Sequence, residues 1–118
     1  ILEWGDYQCT FCYKFHQETL NKIDEEFIKT NKVKIIFKDF PLNGPDSKLA
    51  AEATYCAHDQ NKYWKYHNQL YENWSGERTG WITREALSGF AKGLLSPLRF
   101  GSSSSVSLST IFISEAWT

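Results

Sequence analysis

The chain has 118 residues, a length typical of one domain, and its 42% hydrophobic and 16% aromatic content can fill a packed core. The formal net charge of −1 argues against nucleic acid as a partner and against an anionic membrane surface. Apolar runs of only a few residues argue against a membrane-spanning helix.

The methionine and cysteine counts bear on compartment and chemistry. The chain contains no methionine, so Ile1 is not a translated start, and we expect either a removed targeting segment or a fragment. Its 3 cysteines are too few, and odd in number, for a small secreted disulfide scaffold. One pair with one cysteine left over is typical of a working dithiol.

The first forty residues predict a βαβ unit. The run "ILEW" (1–4) favours a short buried strand. From Cys9 onward, apolar residues recur at spacings close to three and four, as on one face of a helix: Phe11, Phe15, Leu20, Ile23, Phe27 and Ile28. "NKVKIIFKDF" (31–40) is dense in β-branched and aromatic residues and predicts a second strand, closed by Pro41. The crossover makes the two strands parallel.

Three helices are predicted after this unit. "SKLAAEATYCAHDQ" (47–60) is rich in alanine, and either Asp46 or Ser47 could cap it. "KYWKYHNQLYENW" (62–74) repeats aromatic residues at helical spacing, and we expect the aromatic stripe to belong to the core. Thr83 opens "TREALSGFAKGLL" as an N-cap, in a capping box that lacks its usual Glu.

The two cysteines of "CTFC" stand where the first strand gives way to the first helix. Unpaired N–H groups and the helix dipole favour a thiolate at Cys9, and Cys12 falls on the first turn within bonding reach. This pattern predicts a low-pKa nucleophile with a covered resolving thiol, as thiol–disulfide exchange requires. Thr10 and Phe11 lie between the two sulfurs and should affect the redox potential.

A metal site and an accidental pair are the alternatives. Zinc in proteins normally takes four ligands, so Cys9, Cys12 and His16 would need a fourth from Cys56 or His58. No second CxxC and no HxxxH pair is present. We expect His16 to pack on the helix face near the pair, the other histidines to have packing or surface roles, and Cys56 to be a small buried apolar residue.

Taken together, these residues resemble the thioredoxin-like thiol oxidoreductases of the DsbA type. The resembling stretches are "ILEWGDYQCTFCYKFH", "VKIIFKDFPLNGPDSKLAAEATYCAHDQNKYWKYHNQLYENW" and "GWITREALSGFAKGL", and they cover roughly residues 1–95. The resemblance implies an α/β thioredoxin-like fold with an inserted helical domain. It divides the chain into a βαβ unit with the CxxC (1–45), the helical insert (46–95) and a divergent tail with one possible strand at 106–113 (96–118).

The resemblance also implies roles for individual residues. Cys9 would be the attacking nucleophile and Cys12 the resolving thiol. Glu3, six residues before Cys9, matches a strand acid that handles the proton of the buried thiol. The usual family dipeptide begins with proline, so Thr10 is a departure that bears on the redox potential. His16 is a further supporting residue.

The second half of the family's fold is incomplete in this sequence. Family members return to the sheet through a strand preceded by a cis-proline that faces the dithiol. Neither Pro41, Pro45 nor Pro97 stands in such a setting, and the closing hairpin and final helix are absent. An uncovered sheet edge and apolar surface are therefore expected.

The leading interpretation is an enzyme, a protein thiol–disulfide oxidoreductase that uses Cys9 and Cys12 without metal or cofactor. Reduced or misoxidised proteins would be its substrates, and a membrane redox partner would reoxidise it. Oxidation is the favoured direction, and the same pair would act as a reductase or isomerase if its redox potential were lower. A periplasmic or other extracytoplasmic location follows from this chemistry. The alternatives are a metal-binding module built on Cys9, Cys12 and His16, and an inactive truncated fragment.

Overall fold

The computed structural model describes residues 1–94 and the backbone of residues 116 and 117, and it begins with the predicted βαβ unit. The strands are β1 (Leu2–Gly5), β2 (Ile36–Asp39) and β3 (Ala116–Trp117), in the sheet order β1–β2–β3. β1 and β2 are parallel, with Leu2 opposite Ile36, whereas β2 and β3 are antiparallel. The α/β class and the parallel crossover are confirmed.

The long first helix, residues 10–28, combines α-helical and π-helical turns. Its segments are α1 (Thr10–Lys14), a π-helical stretch (Phe15–Leu20), α2 (Asn21–Ile23) and a second π-helical stretch (Asp24–Ile28). The predicted apolar stripe is wrong at two members, because the side chains of Phe11 and Phe27 are 77% and 41% exposed.

β2 covers only four of the ten residues predicted as a strand. Asn31 has a φ of 60°, in the turn that ends the first helix. The N–H groups of Lys32 and Val33 donate to the carbonyl of Phe27 and keep these residues with the helix end. β1 itself has four residues, so the parallel ladder offers no further partners to a longer β2.

Three helices follow β2, as predicted: α3 (Pro45–Asp59), α4 (Tyr63–Glu72) and α5 (Arg84–Lys92). Thr83 caps α5, since its hydroxyl accepts the N–H of Ala86 at 3.1 Å. None of the helices in the described residues is long and apolar enough to cross a membrane.

The predicted cap of α3 by Asp46 or Ser47 is wrong. The helix begins at Pro45, after Gly44 with a φ of 100°, so both predicted residues lie inside the first turn. Proline suits this position because its missing N–H has no helical partner there in any case. The Ser47 hydroxyl is thereby free to donate to Asp6, in the turn before the cysteine pair.

An aromatic cluster packs the helices on the sheet, with the fully buried His67 at its centre. Rings in contact with His67 belong to His16, Tyr7, Phe37, Tyr63, Trp64 and Tyr71. Burial lowers the pKa of His67 to about 3, so its ring is neutral at neutral pH. Its Nδ1 hydrogen-bonds the Tyr7 hydroxyl at 2.8 Å. The expected aromatic core, and a packing role for this histidine, are confirmed.

Two sequence predictions concern residues that the structure leaves undescribed. The strand at 106–113 lies outside the described residues, and so does Pro97. In the described part of the chain, which includes Pro41 and Pro45, no peptide bond is cis. The division into units 1–45, 46–95 and 96–118 stays a prediction.

Gly5 ends β1 at a point where a side chain would not fit. A Cβ at this position would lie 2.3 Å from Cε2 of Phe37, whose ring is buried. Gly89, in α5, is different, because a Cβ there would meet nothing within 4 Å. Close packing of the strand end on Phe37 therefore requires glycine at position 5.

Gly5→Ala should lower the free energy of unfolding by about 2 kcal/mol, because the Phe37 ring or the strand must shift. The matched control Gly89→Ala should be neutral or raise it by about 0.5 kcal/mol, since alanine favours a helix. Urea denaturation followed by circular dichroism measures both. Equal effects of the two variants would contradict the close packing described here.

Candidate active site

Cys9 stands at the junction of the turn after β1 and the first helix. It is the N-cap of α1, with extended backbone angles of φ −66° and ψ 124°. Its carbonyl accepts the N–H of Tyr13 at 3.0 Å, and its own N–H donates to the carbonyl of Asp6 at 3.1 Å. The structure thus places Cys9 at the helix N-terminus, where the sequence predicted it, with Cys12 one turn further on. Both are free thiols and partly buried.

Cys12 is held as a neutral thiol. Burial raises the pKa of Cys12 to about 12, and a hydrogen bond with the backbone of Asp6 acts in the opposite direction. A side-chain hydrogen bond with Cys9 and the charges of Cys9 and Glu3 add to the rise. The two cysteines are therefore unequal in their surroundings, as a nucleophile and a resolving thiol must be.

Glu3 is the acidic side chain whose charge acts on Cys12. Burial raises the pKa of Glu3 to about 7, and its Oε2 is buried without a hydrogen-bond partner. Its charge raises the pKa of Cys12, so the protonation of one group depends on that of the other. A carboxyl that titrates near neutral pH can both give and accept a proton there.

An apolar groove of about 290 Å³ lies beside β1 and reaches Cys12. It is lined by Ile1, Leu2, Glu3, Trp4, Phe11, Cys12 and Phe15. Leu2 and Trp4 are more than half exposed, and Lys14 Nζ lies 5.7 Å from the centre of the Phe11 ring. Thr10 begins α1 and is partly buried. The surface around the dithiol is thus apolar and open.

His16 is not turned toward the cysteines. Its ring is buried and stacks on Tyr71 at 4.9 Å, and its Nε2 hydrogen-bonds Asn68 Oδ1 at 3.0 Å. Within residues 1–94 no group of three or more His, Cys, Asp or Glu side chains is arranged to hold a metal. His16 has the packing role expected of it. Cys56 is only partly buried on α3, and burial raises the pKa of its thiol to about 11.

Asp6 and Gln8, which precede the cysteines, also belong to the site, although no sequence pattern predicted them. Both side chains are buried, at 4% and 1% exposure, although they stand in a connecting turn. Apart from the N–H of Gln8, which donates to Asp6, the hydrogen-bond partners of these two side chains lie 35 to 70 residues away in the chain, so no local pattern marks them. The one signal in the sequence is the presence of two polar residues in a turn too short to satisfy all of their hydrogen bonds.

Comparison with known proteins adds a family and several relatives. A family model described as thioredoxin matches residues 1–92. A probable disulfide bond formation protein D of Bacillus cereus is 32% identical over 94 residues, which are 78% of this chain and 44% of that protein. Disulfide bond formation protein D of Bacillus subtilis is also 32% identical over 94 residues, 78% of this chain and 42% of its own length. The chain therefore spans less than half the length of these relatives.

Two solved structures share the fold. The crystal structure of oxidised BdbD from Bacillus subtilis matches with a TM-score of 0.76 and 30% identity, over 80% of this chain and 52% of that one. Wolbachia pipientis alpha-DsbA1 matches with a TM-score of 0.65 and 25% identity, over 85% of this chain and 51% of that one. The thioredoxin-like fold expected from the sequence is confirmed.

Glu3→Gln should make stability at high pH greater than in the wild type. The pKa of Glu3 in the folded state, about 7, lies above the ordinary 4.5. The contribution of protonated Glu3 to the free energy of unfolding is therefore fully present below pH 4.5. It is lost as the pH rises through 7. We expect the variant to exceed the wild type by about 2 kcal/mol at pH 8 in urea unfolding, after a discount for partial solvent access.

The gain should disappear near pH 4, where the wild-type carboxyl is protonated in both states. Glu77→Gln is the matched control, because it removes a carboxylate from the exposed connection between α4 and α5. A Glu3→Gln difference that stays constant from pH 4 to pH 8 would show that burial of the charge is not its cause.

Proposed function

The chain belongs to the thioredoxin family and is of the DsbA type, and on that ground we propose that it is a protein thiol–disulfide oxidoreductase. Cys9 and Cys12 would pass their disulfide to pairs of thiols in protein substrates. The observation that carries this proposal is the position of Cys9 at the N-terminus of α1, with the partly buried Cys12 one turn further along the helix. The relatives are named disulfide bond formation proteins, which supports the direction of oxidation.

The exchange consists of two thiolate attacks. A substrate thiolate attacks the sulfur of Cys9, the Cys9–Cys12 bond breaks, and Cys12 leaves as a thiolate. The second substrate thiolate then attacks the substrate sulfur of the mixed disulfide and releases Cys9. The Cys9–Cys12 disulfide thereby gains two electrons and two protons, and two substrate thiols lose them.

Glu3 supplies a proton at the first step. A thiol with a pKa of about 12 is a poor leaving group as a thiolate, and this is the pKa of Cys12 in the reduced site. Glu3 titrates near pH 7 and is electrostatically coupled to Cys12. When protonated, its carboxyl can neutralise the departing sulfur, and in the reverse direction it accepts the same proton.

Unfolded polypeptides are the substrates that the surroundings of the dithiol favour. Phe11 stands between the cysteines with 77% of its side chain exposed, and the groove beside it is lined mainly by apolar side chains. Exposed apolar groups of this kind bind apolar segments that a folded substrate would have buried. We further propose an extracytoplasmic location and a membrane redox partner that restores the disulfide.

A reduced peptide with two cysteines, mixed with the oxidised chain, tests the proposal. The oxidised wild type should oxidise the peptide, whereas Cys9→Ser and Cys12→Ser should not, because neither variant can form the Cys9–Cys12 disulfide that accepts the two electrons. With the disulfide form of the peptide instead, the reduced Cys12→Ser variant should accumulate a mixed disulfide at Cys9, because Cys12 is absent and cannot displace the peptide. Mass spectrometry under acid quench measures these products.

Cys56→Ser is the matched control, since it removes a thiol from α3 and should leave the exchange unchanged. Oxidation no faster than with the same concentration of oxidised glutathione would contradict the proposal and support an inactive fragment.

A further inference from the structure

We infer that Asp6 is a positioning residue for the cysteine pair, because its buried carboxylate fixes the turn that holds Cys9 at the start of the helix. Asp6 Oδ1 accepts the N–H of Gln8 at 2.8 Å and the hydroxyl of Ser47 at 2.6 Å. Its Oδ2 accepts the N–H of Asn43 at 2.8 Å and the side-chain amide of Asn43 at 3.2 Å. The inference rests on the proposed function for its significance.

The four donors saturate the carboxylate. Two carboxylate oxygens offer about four lone-pair sites, and each site here faces one donor. All four donors are neutral groups, so directed hydrogen bonds rather than an opposite charge compensate the burial of Asp6 at 4% exposure. Such an arrangement depends on geometry, and it therefore holds the turn in one conformation.

The backbone of Asp6 forms hydrogen bonds with both cysteines. Its carbonyl accepts the N–H of Cys9 at 3.1 Å and the hydroxyl of Tyr71 at 3.3 Å. A hydrogen bond from its backbone to Cys12 also lowers the pKa of that thiol against the effect of burial. One residue thus binds both cysteines through its backbone, and it binds the β2–α3 connection and the first turn of α3 through its side chain.

Gln8 links the same turn by hydrogen bonds to Trp74 and Arg78, which lie between α4 and α5. Its side-chain amide donates to Ser47 Oγ at 2.8 Å and to the carbonyl of Asn43 at 3.2 Å. Its Oε1 accepts the N–H of Arg78, and its carbonyl accepts Trp74 Nε1–H, both at 3.0 Å. Ser47 is therefore shared between Asp6 and Gln8, and it can be changed without removing the charge of Asp6.

Charge and position predict opposite effects of Asp6→Asn. Loss of an anion three residues before Cys9 would by itself favour the Cys9 thiolate and speed its alkylation. Loss of two accepted hydrogen bonds would instead release the turn, move Cys9 from the helix terminus and slow its alkylation. Positioning also predicts slower alkylation for Ser47→Ala, which keeps the charge.

The test uses the reduced full chain, with the iodoacetamide alkylation rate of Cys9 measured at pH 7 by mass spectrometry. We expect Asp6→Asn to slow the reaction by about fivefold and Ser47→Ala by about twofold. These factors correspond to the loss of about one favourable interaction at a helix terminus. Tyr66→Phe is the matched control, because it removes a buried hydrogen bond to Leu87 between α4 and α5. It should lower stability and leave the rate unchanged.

The disulfide equilibrium with glutathione is the second readout, taken on the same variants after correction for their unfolded fractions. Asp6→Asn and Ser47→Ala should shift it in the same direction, and Tyr66→Phe should not. Faster alkylation in Asp6→Asn with an unchanged Ser47→Ala would overturn the inference in favour of a charge effect.

Unchanged rates and equilibria in both variants would overturn it in favour of a purely structural role. If Asp6→Asn does not fold, Ser47→Ala decides. Failure of the proposed function is a separate result, since a wild type that exchanges no disulfide with peptides can still show these differences among variants.

Discussion

The turn between β1 and α1 is the constraint on which the rest of the structure depends, because it must join a strand to a helix and leave a thiol at the junction. All four residues of "GDYQ" are buried, although connecting segments usually lie at the surface. Each has a different neighbour. Gly5 admits the Phe37 ring, and the Tyr7 ring enters the aromatic cluster, while Asp6 and Gln8 bond the connections that follow β2 and α4.

This burial explains why the two thiols differ although they are three positions apart. The N–H of Cys9 donates to the carbonyl of Asp6 in the turn, and Cys9 stands before the first helical residue. Cys12 projects from the helix into the region that Glu3 and Tyr71 also occupy, and burial dominates its pKa. This difference decides which sulfur is attacked and which one leaves, because two equivalent sulfurs would take either role equally often.

The sequence predicted what depends on neighbouring residues and missed what depends on distant ones. Periodicity predicted the βαβ unit, the three later helices and the helix start at Cys9, since each follows from side-chain spacing and local hydrogen bonding. The length of β2 was overestimated because strand propensity ignores how many partners β1 supplies. Asp6 and Gln8 were missed because their partners, Asn43 and Arg78 among them, come together only in the folded chain.

The ring cluster around His67 has a consequence for how the molecule opens. Tyr7, from the turn before the dithiol, is bonded to His67 sixty residues later, and Trp74 stacks on Tyr13 at 4.4 Å. Separating α4 from the sheet would expose these rings together and remove the support of the cysteine turn in the same event. The dithiol site and the helices then form one cooperative unit. Amide hydrogens at Cys9 and Tyr13 would exchange with solvent through global unfolding, not through fraying of the helix end.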